Sequence, residues 1–359
     1  MGRVVMVTGV SRQLGGRFAR ALQDRRALPG GERVDRVIGV DVVPPQRDLG
    51  ATEFVRADIR NPIIARVIAR AEVDTVVHLG VIATPRSAGG RSSMKEINVI
   101  GTMQLLAACQ GAPSVRRLVV KSSASVYGSS AKDPALFTED MEPRELPRSG
   151  FAKDSTEVEG YVRGFARRRA DVAVSVLRLA NVCGPGVDTA LTDYLSMPVV
   201  PMPLGFDGRL QLLHEDDALE VLRRCALGQH AGTFNVAGEG VLLMSQAVRR
   251  AGRTPVHVPA GLGGSVGQLA RRAGFADVSH EQMAFLSHGR VLDCTRAREE
   301  LGFVPARSTA ATWDDFCSAR GLGSSPLLAA AGRAGSALAR AAGLEGVLPG
   351  PARQGGARA

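Results

Sequence analysis

Short apolar runs alternate with amphipathic stretches through the first half of the chain. The runs predict buried strands at 3–8, 36–41, 53–56, 75–78, 117–121 and 172–179. Between them, apolar positions recur at helical spacing and predict helices at about 14–27, 62–71, 93–110 and 153–169. Strands that are apolar on both faces and alternate with helices are typical of βαβ units in a parallel sheet. We therefore expect an α/β fold with a doubly wound parallel sheet, whose ligands bind at the carboxyl ends of the strands.

The rhythm changes twice further along the chain. After Cys183 it loosens into segments interrupted by Pro and Gly, such as 198–205, which predicts a smaller C-terminal substrate lobe. From Ser324 the composition turns to Ala, Gly, Arg and Pro, which is typical of a disordered tail. The predicted division is a Rossmann-type domain at 1–182, a substrate lobe interleaved with the sheet at 183–323, and the tail at 324–359.

Composition narrows the classes of function. The 45 Lys and Arg residues exceed the 35 Asp and Glu residues and give a net charge of +10. The arginines are scattered without interleaved aromatic residues, so we interpret them as a solvated surface and expect no nucleic-acid site. The five cysteines are far apart and form no CxxC motif, so neither a disulfide framework nor a metal site is expected. No apolar run is long enough for a membrane span, and we expect a cytoplasmic protein.

The first strand ends in a glycine-containing turn that opens a helix. Gly9 permits the turn, Gly15 allows the helix to pack against the strand, and Thr8, Arg12 and Leu14 complete the segment. Free N–H groups at the start of such a helix can hold a diphosphate. Because the turn lies at the first βα junction, it predicts a dinucleotide site.

Two carboxylates follow the next strands and refine this prediction. Asp41 ends the second strand, where a carboxylate accepts hydrogen bonds from the adenosine ribose, and Asp58 follows the third strand as an adenine contact. Asp41 repels a 2′-phosphate, whereas Arg12 can pair with one. NAD is the expected cofactor, with NADP as the alternative.

At this point the chain resembles the extended short-chain dehydrogenase/reductase group, the NAD-dependent epimerase/dehydratase family, and especially actinobacterial members that are UDP-glucose 4-epimerase-like. The likeness covers about 4–316 and is carried by ordered short motifs. They are Thr8-Gly9-x5-Gly15, Asp41, Ala57-Asp58-Ile59-Arg60, Val76-Val77-His78-Leu79, Asn98-Val99-x-Gly101-Thr102, Ser122-Ser123-Ala124-Ser125-Val126-Tyr127-Gly128, Leu177-Arg178-Leu179-Ala180-Asn181-Val182-x-Gly184-Pro185, Gln211-Leu212-Leu213-His214-x-x-Asp217, Phe234-Asn235-Val236 and Leu301-Gly302-Phe303-x-Pro305.

The resemblance implies further site residues and partners. Cofactor contacts are implied at Ile59, His78, Leu79, Gly80 and Asn98. Contacts with a nucleotide-sugar substrate are implied at Asn181 and Gln211, with Asn181 favoured over Arg178, which can be buried in a salt bridge. A homodimer through the helices at 93–110 and 153–169 is also implied.

The chain departs from the family at its catalytic residues. The family uses a Ser or Thr, a Tyr, and a Lys four residues after the Tyr; the resemblance places the serine at Ser123. The expected Tyr and Lys positions hold Phe151 and Ser155, and the sequence contains no Tyr-x-x-x-Lys anywhere. Phenylalanine has no proton to exchange, so another group must supply acid–base catalysis if the site is active.

The sequence leaves several replacements open. Lys153 and Asp154 flank the vacant position, although on a first helical turn they more often face water or cap the helix. Tyr127 in the loop that follows Ser123 is more often a packing residue. His78 is more often a satisfied histidine, whose ring nitrogens are hydrogen-bonded within the fold. Two functions follow: an NAD-dependent oxidoreductase or epimerase of nucleotide-sugars with an atypical site, or a cofactor-binding sensor or scaffold without turnover.

Overall fold

The computed structural model describes residues 3–23, 34–83, 89–143, 147, 150–259 and 280–323. The predicted tail at 324–359 and the last part of the predicted helix at 14–27 lie outside the described residues. None of the described helices is long and apolar enough to cross a bilayer.

Seven strands form one parallel sheet. In chain order they are β1 (Arg3–Thr8), β2 (Val34–Asp41), β3 (Glu53–Arg56), β4 (Thr75–His78), β5 (Arg117–Ser123), β6 (Ala173–Leu179) and β11 (Gly232–Val236). Their order across the sheet is β11-β6-β5-β4-β1-β2-β3. The chain therefore starts in the middle of the sheet and winds outward in both directions, which confirms the predicted doubly wound α/β fold. The winding reverses between β1 and β4, where such folds bind ligands.

Smaller two-stranded sheets build the C-terminal lobe. They pair β7 (Asn181–Cys183) with β10 (Leu212–His214), β8 (Val199–Pro203) with β13 (Thr254–Val258), and β9 (Arg209–Leu210) with β12 (Leu242–Leu243). The lobe and the sheet are interleaved, because β11 comes after most of these strands in sequence but pairs with β6.

Helices pack on both faces of the sheet and around the lobe. Their bounds are α1 (Gln13–Ala21), α2 (Ile63–Arg70), α3 (Arg91–Lys95), α4 (Gly101–Gln110), α5 (Gly150–Arg168), α6 (Ala190–Leu195), α7 (Glu215–Leu227), α8 (Met244–Arg250), α9 (His280–His288), α10 (Thr295–Leu301) and α11 (Thr309–Ala319). The helix predicted at 93–110 is interrupted by a π-helical segment, Glu96–Ile100, which joins α3 to α4. Periodicity does not show this widened turn, because it shifts the apolar face only slightly.

Alternate side chains of the central strands enter two separate cores. On β5, Val119 packs into the core on one face of the sheet with Phe18 of α1, and Val120 packs into the core on the other face with Phe165 of α5. A third core around Trp313 holds the lobe together. Each fully buried large side chain contributes about 1.5 to 3 kcal/mol, so the sheet is a rigid support for residues at its carboxyl edge.

Candidate functional site

The turn between β1 and α1 is closely packed on both sides. Gly9 has φ of +80°, and a Cβ there would lie 2.8 Å from the Cα of Gly80 after β4. A Cβ on Gly15 would lie 2.2 Å from the carbonyl oxygen of Gly9. Both positions therefore require glycine, for the two reasons that the sequence predicted: the left-handed turn and the close approach of helix to strand.

The start of α1 is suited to an anion. Arg12 occupies the N-cap position, and its side chain makes no capping hydrogen bond. The first turn of α1 contains no acidic residue. Its N–H groups therefore keep their capacity to donate, and the helix dipole places positive potential in front of them. Leu14 of the same turn packs against the core of the sheet.

Asp41 lies at the rim of this turn. One carboxylate oxygen accepts the N–H of Ser11 at 3.0 Å, and the other accepts the N–H of Val42 at 2.8 Å. The two bonds orient the carboxylate and leave part of its acceptor capacity for ribose hydroxyls. Asp58 is instead paired with Arg60 at 2.6 Å, and this hydrogen bond lowers the pKa of Asp58. Ile59 packs beneath Gly101.

His78 has a structural environment at the end of β4. Its Nδ1 lies 2.7 Å from Oγ1 of Thr8, and its Nε2 lies 3.0 Å from Oγ1 of Thr102. Thr102 donates its own hydroxyl hydrogen to the carbonyl oxygen of Asn98, so it accepts from Nε2. Burial, and then the charge of Lys121, lower the pKa of His78 to about 4. The ring is thus neutral and links β1, β4 and α4, which favours the satisfied-histidine interpretation.

Asp154 and Asn98 belong to a buried polar cluster, contrary to the expectation that Asp154 faces water or caps the helix. Nη1 and Nη2 of Arg91 donate to the two oxygens of the Asp154 carboxylate, at 2.5 and 2.6 Å. Asn98 bonds both the N–H and the carbonyl of Ile82, at 2.7 and 2.8 Å, and also approaches Asp154 at 3.3 Å. Asp154 is therefore held by a cation, and Asn98 fixes the segment that follows β4.

Ser123 ends β5 at the carboxyl edge of the sheet. Its Oγ accepts the N–H of Ser125 at 3.1 Å and so caps the short 3-10 helix Ala124–Tyr127. This leaves the hydroxyl hydrogen of Ser123 available to a ligand. The preceding residue, Ser122, points to the opposite face and donates to Glu159 at 2.6 Å. Glu159 also pairs with the buried Arg178 at 2.7 Å, as anticipated for that arginine.

The hydroxyl of Tyr127 is committed to the fold. It accepts a hydrogen bond from Nη1 of Arg178 at 2.7 Å and donates to Oδ1 of Asn235 at 2.8 Å. The Asn235 amide is oriented because its Nδ2 donates to the carbonyl of Phe137. Burial raises the pKa of Tyr127. These contacts favour the packing interpretation of Tyr127 over a role as a base.

The start of α5 carries Phe151 and Ser155, the positions at which the resemblance implies the family's Tyr and Lys. Phe151 and Ser155 are four residues apart and share one face of the helix, whereas Lys153 lies about 200° around the axis from Phe151. Oγ of Ser155 is buried and has no hydrogen-bond partner among the described residues. Lys153 is half-buried and makes no hydrogen bond or ion pair within the described part of the chain. Its direction favours the solvated interpretation.

Lys121 is the residue at this edge that sequence reasoning missed. It lies two positions before Ser123, on the same side of β5, and pairs in register with Leu177. Burial, and then the charge of Arg12, lower its pKa to about 8. The sequence signal that could have identified Lys121 was a lone lysine inside an apolar strand. Such a lysine is unusual, because most lysines in strands lie on exposed faces or edges.

The substrate-side residues lie where the lobe meets the sheet. Asn181 begins β7 and is half-buried. Gln211 accepts the N–H of Leu292 at 2.8 Å. It also lines a cavity of about 360 Å³ beyond the end of β11, the edge strand on the opposite side of the sheet from β3. His214 contacts Asp315 at 3.0 Å, and Asp217 accepts the N–H of Ala306 at 2.8 Å. These contacts to Asp315 and Ala306 favour structural roles for His214 and Asp217.

The described residues contain no group of three or more His, Cys, Asp or Glu side chains placed to hold a metal ion. The polar groups at the edge fit an organic ligand better. Besides Ser155, the buried atoms Oγ of Ser125 and Oε1 of Gln13 have no hydrogen-bond partner among the residues that the structure describes. Unpaired buried polar atoms are costly, so they mark places where a polar ligand can bind.

Comparison with protein families identifies this arrangement. The model of the NAD dependent epimerase/dehydratase family matches residues 5–236. An uncharacterized protein of Mycobacterium tuberculosis is 50% identical over 324 residues, which cover 89% of this chain and 85% of the relative. A UDP-glucose 4-epimerase of Neisseria meningitidis serogroup C is 29% identical over 149 residues, 40% of this chain and 43% of the relative.

Solved structures show the same fold. The UDP-glucose 4-epimerase of Thermotoga maritima, crystallised with UDP-glucose, superposes with a TM-score of 0.68 at 19% identity and covers 89% of this chain and 98% of its own. DesIV, a dTDP-glucose 4,6-dehydratase of Streptomyces venezuelae with NAD and TYD bound, has a TM-score of 0.67 at 23% identity and covers 89% and 97%. At these identities the likeness establishes the architecture. The description of the family confirms NAD as the expected cofactor.

Proposed function

Since this chain belongs to the NAD dependent epimerase/dehydratase family, we propose that it is an oxidoreductase or epimerase of nucleotide-linked sugars. In this proposal NAD binds along the carboxyl edge of the sheet, and Ser123 is the catalytic residue that holds a sugar hydroxyl. The observation that carries the proposal is the packing of Gly9 and Gly15 at the winding reversal, directly beside the oriented carboxylate of Asp41.

The residues present fit a dinucleotide. The close packing of Gly9 against Gly80 and of Gly15 against Gly9 forms a cradle that any Cβ would obstruct. Asp41 would accept the adenosine ribose hydroxyls, and it disfavours the additional phosphate of NADP because like charges repel. Bound NAD supplies a carbon that accepts or returns a hydride.

Ser123 has the geometry for its proposed role. Its Oγ is fixed by the N–H of Ser125, and its own hydrogen is left to donate to a ligand at the end of β5. A sugar hydroxyl there would be oriented at the carboxyl edge of the sheet, where the substrate lobe faces the cofactor cleft. Asn181 and the cavity beside Gln211 are the proposed contacts for the nucleotide part of the substrate.

The missing acid–base pair limits the expected rate. With Phe151 at the tyrosine position, the oxygen–hydrogen bond of the sugar hydroxyl breaks without a strong neighbouring base. The expected rate is therefore lower by about two to four powers of ten. Lys153 and Tyr127 remain the predicted substitutes for this base. Lys153 is directed away from Phe151, and the hydroxyl of Tyr127 is hydrogen-bonded within the fold. Slow turnover is therefore part of the proposal.

The absence of a hydroxyl on Phe151 and of an ammonium group on Ser155 favours a second candidate function. In this alternative the chain binds the cofactor without turnover and acts as a sensor or scaffold. The two functions share the cofactor cleft and differ only in whether a sugar is converted.

One experiment separates them. Purified protein is incubated with NAD and a panel of UDP-, dTDP- and GDP-sugars, and products are identified by chromatography alongside the absorbance of reduced cofactor. We expect slow conversion of one of these sugars, lost at least about a hundredfold in Ser123→Ala and retained in Ser318→Ala, which removes an exposed hydroxyl. Binding of NAD without conversion of any sugar would favour the sensor or scaffold function.

We also propose a homodimer through α4 and α5. Large apolar side chains on or beside these helices are exposed: Ile100 is 47% exposed, Met103 41% and Tyr161 40%. Sedimentation at micromolar concentration is expected to give a dimer that Met103→Asp dissociates. A wild-type monomer in that experiment would refute the dimer and leave the catalytic proposal unaffected.

A further inference from the structure

Two cationic side chains lie at the carboxyl edge of the sheet, on the side that carries α1. Arg12 extends from the turn after β1, and Lys121 extends from β5. Within the described ranges, neither the guanidinium group nor the ammonium group forms a hydrogen bond or an ion pair. Arginines elsewhere at this edge have carboxylate partners, such as Arg178 with Glu159 and Arg91 with Asp154.

The two charges influence each other. Burial is the main cause that lowers the pKa of Lys121 to about 8, and the charge of Arg12 lowers it further. Burial also lowers the pKa of Arg12, and the charge of Asp41 partly offsets that effect. Two neighbouring cations that are partly withdrawn from water destabilise the protein unless an anion compensates them. An arrangement of this kind is explained by a ligand that brings negative charge.

Their positions indicate which part of a dinucleotide that is. Asp41 at the end of β2 marks the adenosine ribose, and Ser123 at the end of β5 marks the reacting end. The Arg12 turn follows β1, which lies in the sheet between β2, ending in Asp41, and β5, ending in Ser123, so Arg12 lies between the two ends. Lys121 is on the side of β5 that packs toward α1, and the charge of Arg12 reaches it. The diphosphate is the group between the two nucleosides of a dinucleotide, and it carries two negative charges.

We propose that Arg12 and Lys121 together bind the diphosphate of the dinucleotide. This inference rests on the proposed cofactor. In place of a small residue that lets the phosphates approach the backbone at position 12, the chain uses two side-chain cations, one from the turn before α1 and one from β5. Two consequences follow: binding weakens with salt, and it weakens as the pH rises and Lys121 loses its proton.

The small number of lysines makes a direct test feasible. Lys95, Lys121, Lys132 and Lys153 are the only lysines in the chain, so protein labelled with 13C at the lysine ε-carbon gives four NMR signals. The Lys121 signal is assigned by its loss in Lys121→Arg. We expect it to titrate near pH 8 in the free protein and at least about one pH unit higher with saturating NAD or inorganic pyrophosphate, since an adjacent anion favours the ammonium form.

Affinity supplies an independent readout. Lys121→Met is expected to weaken NAD binding about tenfold at low salt, and the exposed Lys132→Met to leave it unchanged. Arg12→Gln is expected to weaken binding to a similar degree. The difference between wild type and Lys121→Met should shrink above pH 9, where the wild-type ammonium group has also lost its charge.

The outcomes separate this inference from the proposed function. If wild-type protein binds NAD while the Lys121 signal does not move and Lys121→Met binds equally well, the inference is wrong and the cofactor proposal stands. If NAD does not bind but pyrophosphate raises the pKa of Lys121, Arg12 and Lys121 still form an anion site and the proposal that NAD is the cofactor is wrong. If Lys121→Met fails to fold, the titration of the wild-type signal decides alone.

Discussion

Arg178 and Tyr127 meet in the interior, where Nη1 of the arginine donates to the tyrosine hydroxyl at 2.7 Å and the guanidinium carbon lies 4.9 Å from the centre of the ring. The same hydroxyl donates to Asn235. A tyrosine held in this way stabilises the junction of β5, β6 and β11 and is poorly placed to exchange protons with a substrate.

Removal of the Tyr127 hydroxyl should therefore affect stability and spare cofactor binding. Tyr127→Phe leaves Oδ1 of Asn235 without its donor and removes one partner of Arg178, at a cost of about 1 to 3 kcal/mol in the free energy of unfolding. Tyr161→Phe, at an exposed position on α5, is the matched control and should change little. Urea denaturation checks both variants, and loss of sugar conversion with unchanged stability would instead identify Tyr127 as catalytic.

Gly15→Ala should weaken cofactor binding. The new Cβ would lie 2.2 Å from the carbonyl oxygen of Gly9, so the turn and the helix must move apart. We expect NAD affinity to fall by more than about tenfold, because donors displaced by about an ångström no longer meet the phosphates. Gly111→Ala is the control, since its nearest contact is at 3.9 Å. Equal NAD affinity in both variants, measured by titration, would argue against a ligand at this turn.

Acid should destabilise the protein through His78. Its folded pKa is about 4 and its unfolded value 6.5, so between these values the unfolded chain binds the proton and the folded chain does not. The stability it contributes is complete above pH 6.5 and is lost as the pH falls to 4, by about 3 kcal/mol in total. Denaturation at a series of pH values should show this loss, and His78→Gln should remove this part of the pH dependence. An identical acid profile in the variant would mean that another group causes the loss.

Restoring the family's catalytic pair should raise turnover. Phe151 and Ser155 share a face of α5, and the buried Oγ of Ser155 has no partner among the described residues, so Phe151→Tyr with Ser155→Lys places a hydroxyl and an ammonium group on that face. We expect conversion of the accepted sugar to rise by at least about tenfold, toward the usual value of a positioned base. Tyr161→Phe, at an exposed position on another side of the same helix, is the control that leaves this face unchanged. An inactive double variant that still binds NAD would indicate a pocket remodelled away from sugars.

Much of the fold was predictable from local patterns. The strands at Arg3–Thr8, Glu53–Arg56 and Thr75–His78 have the predicted bounds. Runs of mostly buried apolar residues define the first and third, whereas Glu53–Arg56 is a half-exposed strand at the edge of the sheet. The glycine turn and Asp41 were also identified, since their spacing depends on consecutive elements. The π-helical segment at Glu96–Ile100 was missed because an amphipathic pattern tolerates one widened turn.

Residues that depend on distant partners were not predictable. Asp154 adjoins Ser155 in sequence, but its partner Arg91 is 63 residues away, and only the folded chain brings them together. Lys121 was missed for a related reason: its pKa depends on burial in β5 and on the charge of Arg12 in the turn before α1. Side-chain electrostatics at the sheet edge therefore required the three-dimensional arrangement.

The most direct test of the account is a calorimetric titration of NAD and NADP into wild-type protein and into Asp41→Ala, with Asp48→Ala as the control at an exposed carboxylate. We predict that NAD binds at micromolar concentration and NADP at least about tenfold more weakly, because Asp41 accepts ribose hydroxyls and repels a 2′-phosphate. Asp41→Ala should weaken NAD binding and narrow the difference between the affinities for NAD and NADP. Asp48→Ala should change neither. Absence of binding by both cofactors, or equal affinity for them in the wild type, would contradict the proposed cleft.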